Sequence, residues 1–213
     1  MQPTLLKSCA DSLRTFVQEN YDVKLKASHS HELVAAYFGY ASKNALLADT
    51  DCPVGNLGQA AIIVMTPDAF IDDRRKTLQG LPSEIPDSYT LGEWFYDPLF
   101  AGKHWGSTTP PFRGFDKLAR HLIENNDAYQ STFSLSRNVP KEHLVDITKS
   151  VNSILLTVTH AHRTSSDELI GHGQTTINLP RIAGHIGFGK PKISVGMWTG
   201  GARKRVNAVE VQS

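Results

Sequence analysis

The residue pattern predicts an α+β fold: an N-terminal three-helix, helix-turn-helix-like module followed by an α+β domain with a C-terminal antiparallel sheet. Three observations carry this expectation. Apolar residues recur at helical spacing through the first fifty residues, which hold few β-branched residues. The last third is instead a succession of β-branched runs, SILLTVTHAHR, ELIGHGQTTINL, AGHIGF and KISVGMW, separated by polar or glycine-bearing turns as in a meander. Between them, DCPVGNLGQ carries a proline and two glycines and reads as a break. The expected division is therefore a helical module over residues 1–50, a linker over 51–60 and an α+β domain over 61–213.

The first helix is expected from about Thr4 to Asn20, with Leu5, Leu6, Cys9, Leu13, Phe16 and Val17 on one face. A second follows, capped by Ser28 or Ser30, carrying Glu32 in its first turn and stopped by Gly39, which takes a left-handed backbone without penalty. Ser42 caps a third, short helix to Ala48. In a helix-turn-helix unit, Ser42, Lys43 and Asn44 would lie at the start of the second helix of the pair, where side chains reach phosphates and base edges. An ordinary helical hairpin packed on the first helix accounts for the same residues, and sequence alone does not separate the two.

The segment SHSHELVAAYFGYASKNALLAD, with the preceding LLKSCADSLRTFVQ, resembles the small helical module of bacterial glyoxalase-superfamily-related accessory proteins. Ser28, His29, Ser30, Glu32, Leu33, Val34, Ala35, Gly39 and Tyr40 carry the match. It covers about the first fifty residues, and Lys43-Asn44 stand where many relatives place a tryptophan. The resemblance implies an accessory product of bacterial chromosomes, plasmids or integrative elements. It implies no glyoxalase chemistry, because the matching residues are not that superfamily's metal ligands.

Further along, AIIVM at 61–65 predicts a buried strand. Thr66-Pro67-Asp68 opens a helix to about Leu78 whose acidic residues precede its basic ones. Residues 79–111, rich in Gly, Pro and aromatics, read as a long irregular loop. Trp94, Phe95, Tyr96, Phe100 and Trp105 are expected to anchor that loop to the core rather than to line a pocket. FDKLARHLIENN, from Phe115 to Asn126, is an amphipathic helix, and Pro140 to Lys149 reads as another short one.

Composition sets the class. The chain has 213 residues, 40% hydrophobic and 20% charged, enough for a buried core in a folded protein. No apolar run approaches the roughly 20 residues needed to cross a bilayer, and the N-terminus lacks a signal-peptide pattern, so no membrane partner and a cytoplasmic location are expected. Cys9 and Cys52 are too few for a disulfide framework and read as reduced thiols. The net charge of +1 conceals an asymmetry: residues 1–100 carry 8 Lys/Arg against 13 Asp/Glu, and 101–213 carry 14 against 8. Opposite halves suit nucleic acid and self-association equally.

Two constellations bear on chemistry. His160 and His162, one residue apart on an expected strand, point to one face, and His172 and His185 lie on later strands; together they suit zinc or ferrous iron. No carboxylate stands at a diagnostic spacing, and isolated histidines are the commoner outcome. No other cofactor is expected. The second constellation is TGGARKRV, where Arg203, Lys204 and Arg205 follow a double glycine and suit phosphates. The glycines of GHIGFGK resemble a phosphate-binding turn, but a strand follows where a helix should, so hairpin bends explain them better. No nucleophile elbow or P-loop is present.

The leading expectation is a non-enzymatic bacterial accessory or regulatory protein, of a mobile genetic element, that binds DNA or a protein partner and associates as an oligomer. One alternative is a metal-dependent small-molecule enzyme using the histidines. The other is an interaction or assembly factor with no role in nucleic-acid binding.

Overall fold

Leu5–Tyr21 form helix α1, begun by Thr4, whose hydroxyl accepts from the Lys7 amide, and ended by Asp22 in a left-handed conformation at φ 52°. Its buried face is Leu5, Leu6, Cys9, Ala10, Leu13 and Val17. Ala27–Tyr37 form α2, which packs on α1 through Leu33, Val34, Ala35 and Tyr37. This helix starts one residue before Ser28, and Lys26 stands at its N-cap without a side-chain bond. Ser30 is buried within it and donates its hydroxyl to the Ala27 carbonyl. Gly39 then turns the chain at φ 87°, and Lys43–Ala48 form the six-residue α3, capped by Ser42.

The computed structural model describes residues 4–65, 68–101, 111–133, 142–163, 169–196 and 199–200. The chain divides into two compact units, Met1–Gly114 with Arg181–Lys190, and Phe115–Pro180 with Pro191–Ser213. The division differs from the one expected at residues 51–60. Those residues form a 3-10 turn, Val54–Gln59, that buries Val54 and Leu57 in the first unit's core. Proline and glycine there shape a packed turn rather than a linker.

The rest of the first unit is short strand β1, Ile62–Ile63, then helices α4, Asp68–Thr77, and α5, Ser88–Ala101. Helix α5 replaces much of the loop expected over 79–111; residues 102–110, including Trp105, lie outside the described residues. Its start is signalled by Asp87, whose carboxylate accepts from the Thr90 amide, a cap that the surrounding prolines and glycine obscure. Phe95 is fully buried and stacks on Tyr37 at 4.4 Å, while Trp94 stacks on Phe16 at 5.4 Å. These two aromatics are core anchors.

The second unit pairs α6, Phe115–Glu124, and α7, Asp127–Phe133, with an antiparallel sheet. Strand β2, Glu142–Lys149, pairs β3, Ser153–Arg163, which pairs β4, Leu169–Ala183; β6, Lys192–Val195, and β7, Thr199–Gly200, lie on the far side of β4. The helix expected over 140–149 is thus a strand. Val145 and Ile147 are β-branched and lie at period-two positions against β3, which outweighs the helical spacing of the apolar residues. Ile154, Leu156, Val158 and His160 of β3 are buried, as are Thr175, Ile177 and Leu179 of β4. Leu118, Ala119 and Ile123 of α6 are buried, and that helix packs against β2 and β3.

Beyond Pro180, which cannot donate to a ladder, β4 continues into the first unit and pairs there with β5, Gly187–Phe188, which in turn pairs β1. Gly184, at φ 54°, makes the turn between β4 and β5, the hairpin bend that the sequence favours over a phosphate loop.

Gly39 packs closely against this hairpin. A Cβ built there lies 2.6 Å from His185 Cβ. Gly39→Ala is expected to cost about 1–2 kcal/mol for the left-handed backbone alone, with the contact adding to it. Urea unfolding of the variant beside the parent checks this.

Candidate functional site

The residues that carry the N-terminal resemblance have structural work in the first unit. The Glu32 carboxylate accepts from the Lys43 amide at 2.9 Å and from Arg74 at 2.8 Å, so a negative charge already occupies the start of α3. Ser42 Oγ accepts from the Ala45 amide at 3.1 Å. Of the three residues expected to touch nucleic acid, Ser42 is engaged as a cap, Lys43 is half-buried and Asn44 is exposed. Arg203, Lys204 and Arg205 lie outside the described residues. The imidazole of His29 is buried, and its Nδ1 has no hydrogen-bond partner among the described residues.

Tyr40 and Asp49 meet a third residue the sequence reading missed, Arg181. Its side chain is 4% exposed and lies 2.5 Å from the Asp49 carboxylate, whose side chain is 14% exposed. Arg181 also donates from Nε to the Gly184 carbonyl at 2.9 Å and contacts Tyr40 Oη at 3.4 Å, while Tyr40 donates to Asp49 at 2.5 Å. Burial pushes the Asp49 carboxyl up, but hydrogen bonds from Tyr40, the Cys52 amide and Arg181 outweigh it and hold the carboxyl below its ordinary range. Tyr40 is pushed up, by burial first and then by Asp49. Cys52 donates its thiol to the Arg181 carbonyl, and Cys9 is pushed up to about 12 by burial, so neither free thiol is set up as a thiolate nucleophile.

Two of the histidines expected to share a metal, His160 and His172, lie on opposite faces of the sheet. His160 is buried on the face of β3 that α6 covers, whereas His172 stands opposite Ala161, on the other face, and is exposed. His185 belongs to the first unit and packs edge-on against Tyr40 at 4.8 Å. The side chain of His162 lies outside the described residues. Among the described residues no group of three or more His, Cys, Asp or Glu converges as a ligand set.

What the structure sets against His160 is His143, directly opposite on β2. Their Nδ1 atoms are 2.9 Å apart, and His160 Nε2 lies 2.8 Å from Thr175 Oγ1 on β4. The ring of Tyr129 on α7 is 5.0 Å from that of His160. Burial, and next the His143 ring, depress His160 to about 4; burial, and next Arg120, lower His143. His143 escaped notice because its segment reads as a helix; with β2 drawn as a strand, the register brings the two rings together.

Two expectations follow from these geometries. Arg181→Ala leaves the Asp49 carboxylate buried without its cation and is expected to cost about 3–5 kcal/mol in denaturant unfolding. For His160, the folded value lies below the ordinary 6.5, so the unfolded chain binds more protons between them. Its contribution to stability is therefore complete above pH 6.5 and lost as pH falls toward 4. Urea midpoints measured across that window should fall, and His160→Leu should flatten the decline.

No helix among the described residues is long and apolar enough to cross a membrane. No protein-family model, no curated protein and no solved structure matches the chain.

Proposed function

We propose that this protein is an accessory or regulatory factor that acts by binding a protein partner, and that the β2–β3 hairpin of the second unit is its docking surface. The observation that carries the reading is the concentration of exposed apolar side chains there. Leu144 is 64% exposed and Val151 at the hairpin turn 71%, and Leu155 is exposed on the same face as Leu144. Isolated apolar side chains on a surface are ordinary, but three along one face and turn of a hairpin are a patch of the kind partners cover.

The strand itself suggests how. Among the described residues β2 ends the ladder, with β3 as its neighbour. A further extended segment laid along it would gain backbone hydrogen bonds, with alternate side chains supplying specificity. The face of β2 turned away from α6 carries Leu144, Asp146 and Thr148. A matching strand carries an apolar residue against Leu144 and a basic one against Asp146.

Nucleic acid has less support. The start of α3 is filled by Glu32, and the helix exposes Ala45, Leu47 and Ala48 beside Asn44, a surface poor in phosphate donors. The charge asymmetry of the two sequence halves also fades in the compact units: the first holds 12 Lys/Arg against 13 Asp/Glu, the second 10 against 8.

Selection from a displayed library of random peptides tests the reading. Enriched sequences are expected to alternate apolar and basic residues and to lose binding to Leu144→Glu. No enrichment, or enrichment indifferent to that substitution, removes the reading. Light scattering that shows an oligomer broken by Leu144→Glu identifies a second copy as the partner. Duplex binding in mobility shifts, lost with Lys43→Ala and Asn44→Ala, restores the nucleic-acid reading instead.

A further inference from the structure

The register of β2 against β3 runs from Glu142 to Lys149 without a shift, and no proline interrupts the strand. The Ser150 amide donates to the Ser153 carbonyl, so the hairpin closes on a hydrogen-bonded pair. Bonds alternate along an antiparallel ladder. Leu144, Asp146 and Thr148 therefore exchange theirs with β3, while His143, Val145 and Ile147 point their amides and carbonyls away from it. Edge strands that stay single are commonly blunted by proline, a bulge or a lysine in mid-strand, and β2 has none of these between His143 and Thr148. What it presents instead is Leu144 and Asp146, both exposed.

One segment of this chain has the sequence that such an edge fits. Residues 201–213, GARKRVNAVEVQS, lie outside the described residues. In an extended segment Ala202, Lys204 and Val206 share one face, and Arg203 and Arg205 share the other. Laid antiparallel on β2, one register alone sets a basic residue against Asp146 and an apolar one against Leu144. It places Lys204 opposite Asp146, Val206 opposite Leu144 and Ala202 opposite Thr148. Arg203 and Arg205 then fall opposite Ile147 and Val145, where their stems cover apolar surface; Ile147 is 43% exposed.

Where the segment starts decides whose edge it covers. β7 ends at Gly200, opposite Gly171 on β4, which is level with His162 on β3 and so with the Glu142 end of β2. A strand added outside β2 stands four positions from β7, about 19 Å at roughly 4.8 Å for each. Thr148 lies six residues beyond Glu142, about 20 Å further along the strand. Ala202 follows Gly200 by two residues, a reach of at most about 7 Å. A chain therefore cannot set Ala202 beside its own Thr148. We propose that the segment from Ala202 to Val206 of one copy adds as an antiparallel strand to β2 of a second copy, with Lys204 paired to Asp146 and Val206 packed on Leu144. The inference rests on the reading of the β2–β3 hairpin as a docking surface and names its occupant.

Sedimentation equilibrium of the full chain tests it, and the parent is expected to self-associate as its concentration rises. Asp146→Lys and Lys204→Asp should each weaken association about tenfold or more, and the double variant should recover it. An equimolar mixture of Leu144→Cys and Val206→Cys chains should form disulfide-linked dimers in far greater yield than either chain alone, a readout independent of the charge reversals. A parent that stays a single chain up to about 1 mM overturns the proposal. So does association that ignores both reversals, or that the double variant fails to recover. Association abolished by nuclease assigns the basic segment to phosphates and overturns it as well. Peptide selection that still depends on Leu144 in any of these cases leaves the docking surface standing without this occupant, whereas selection indifferent to Leu144→Glu removes the surface itself.

Discussion

A guanidinium group buried to 4% exposure is the constraint on which the first unit depends. Burying a charge is unfavourable unless it is paired and its donors are satisfied, and Arg181 meets that condition by drawing together two stretches far apart in the chain. Asp49 comes from the end of α3, Tyr40 from the turn before it, and Gly184 from the β4–β5 hairpin. Backbone bonds reinforce the arrangement: the Gly184 amide donates to the Cys52 carbonyl and the His185 amide to the Phe38 carbonyl. Ten residues late in the sequence, 181–190, are thereby built into a unit otherwise made of the first 114.

This arrangement changes what the N-terminal motif means. Leu33, Val34 and Ala35 fill the core, Glu32 caps α3 and pairs with Arg74, Gly39 admits His185, and Tyr40 joins the Arg181 network. Each is placed by a packing or pairing need. The segment looks like a recognition unit in sequence because a helical hairpin packed on a third helix needs the same small residues, turn glycine and capping serine as one that binds DNA. The outward surface of α3, with Ala45, Leu47 and Ala48 exposed, carries little charge to distinguish it.

Local signals were legible where local physics decides the outcome. The apolar stripe of α1, the left-handed Gly39, the Ser42 cap, the amphipathic α6 and the β-branched β3 and β4 all lie where the sequence places them. The failures have tertiary causes. Helix α5 contains Gly92 and Pro98 yet forms, with Phe95 and Leu99 buried in the core. Strand β2 reads as a short helix because its apolar residues suit both periods, and pairing with β3 decides between them. That single misreading hid the His143–His160 pair. The Arg181–Asp49 contact, 132 residues apart in sequence, leaves no local trace at all.

The central claim is that the helical segment and the β4–β5 hairpin form one cooperative body held through Arg181. Native-state hydrogen exchange measures this most directly, by comparing the opening free energies of amides in α1 and α2 with those of Val64 and His185, which donate to the carbonyls of Ile186 and Phe38. The account predicts a common free energy for all of them, falling together when Arg181 is replaced. Independent opening, with α1 and α2 protected while the hairpin exchanges at far lower cost, would contradict it.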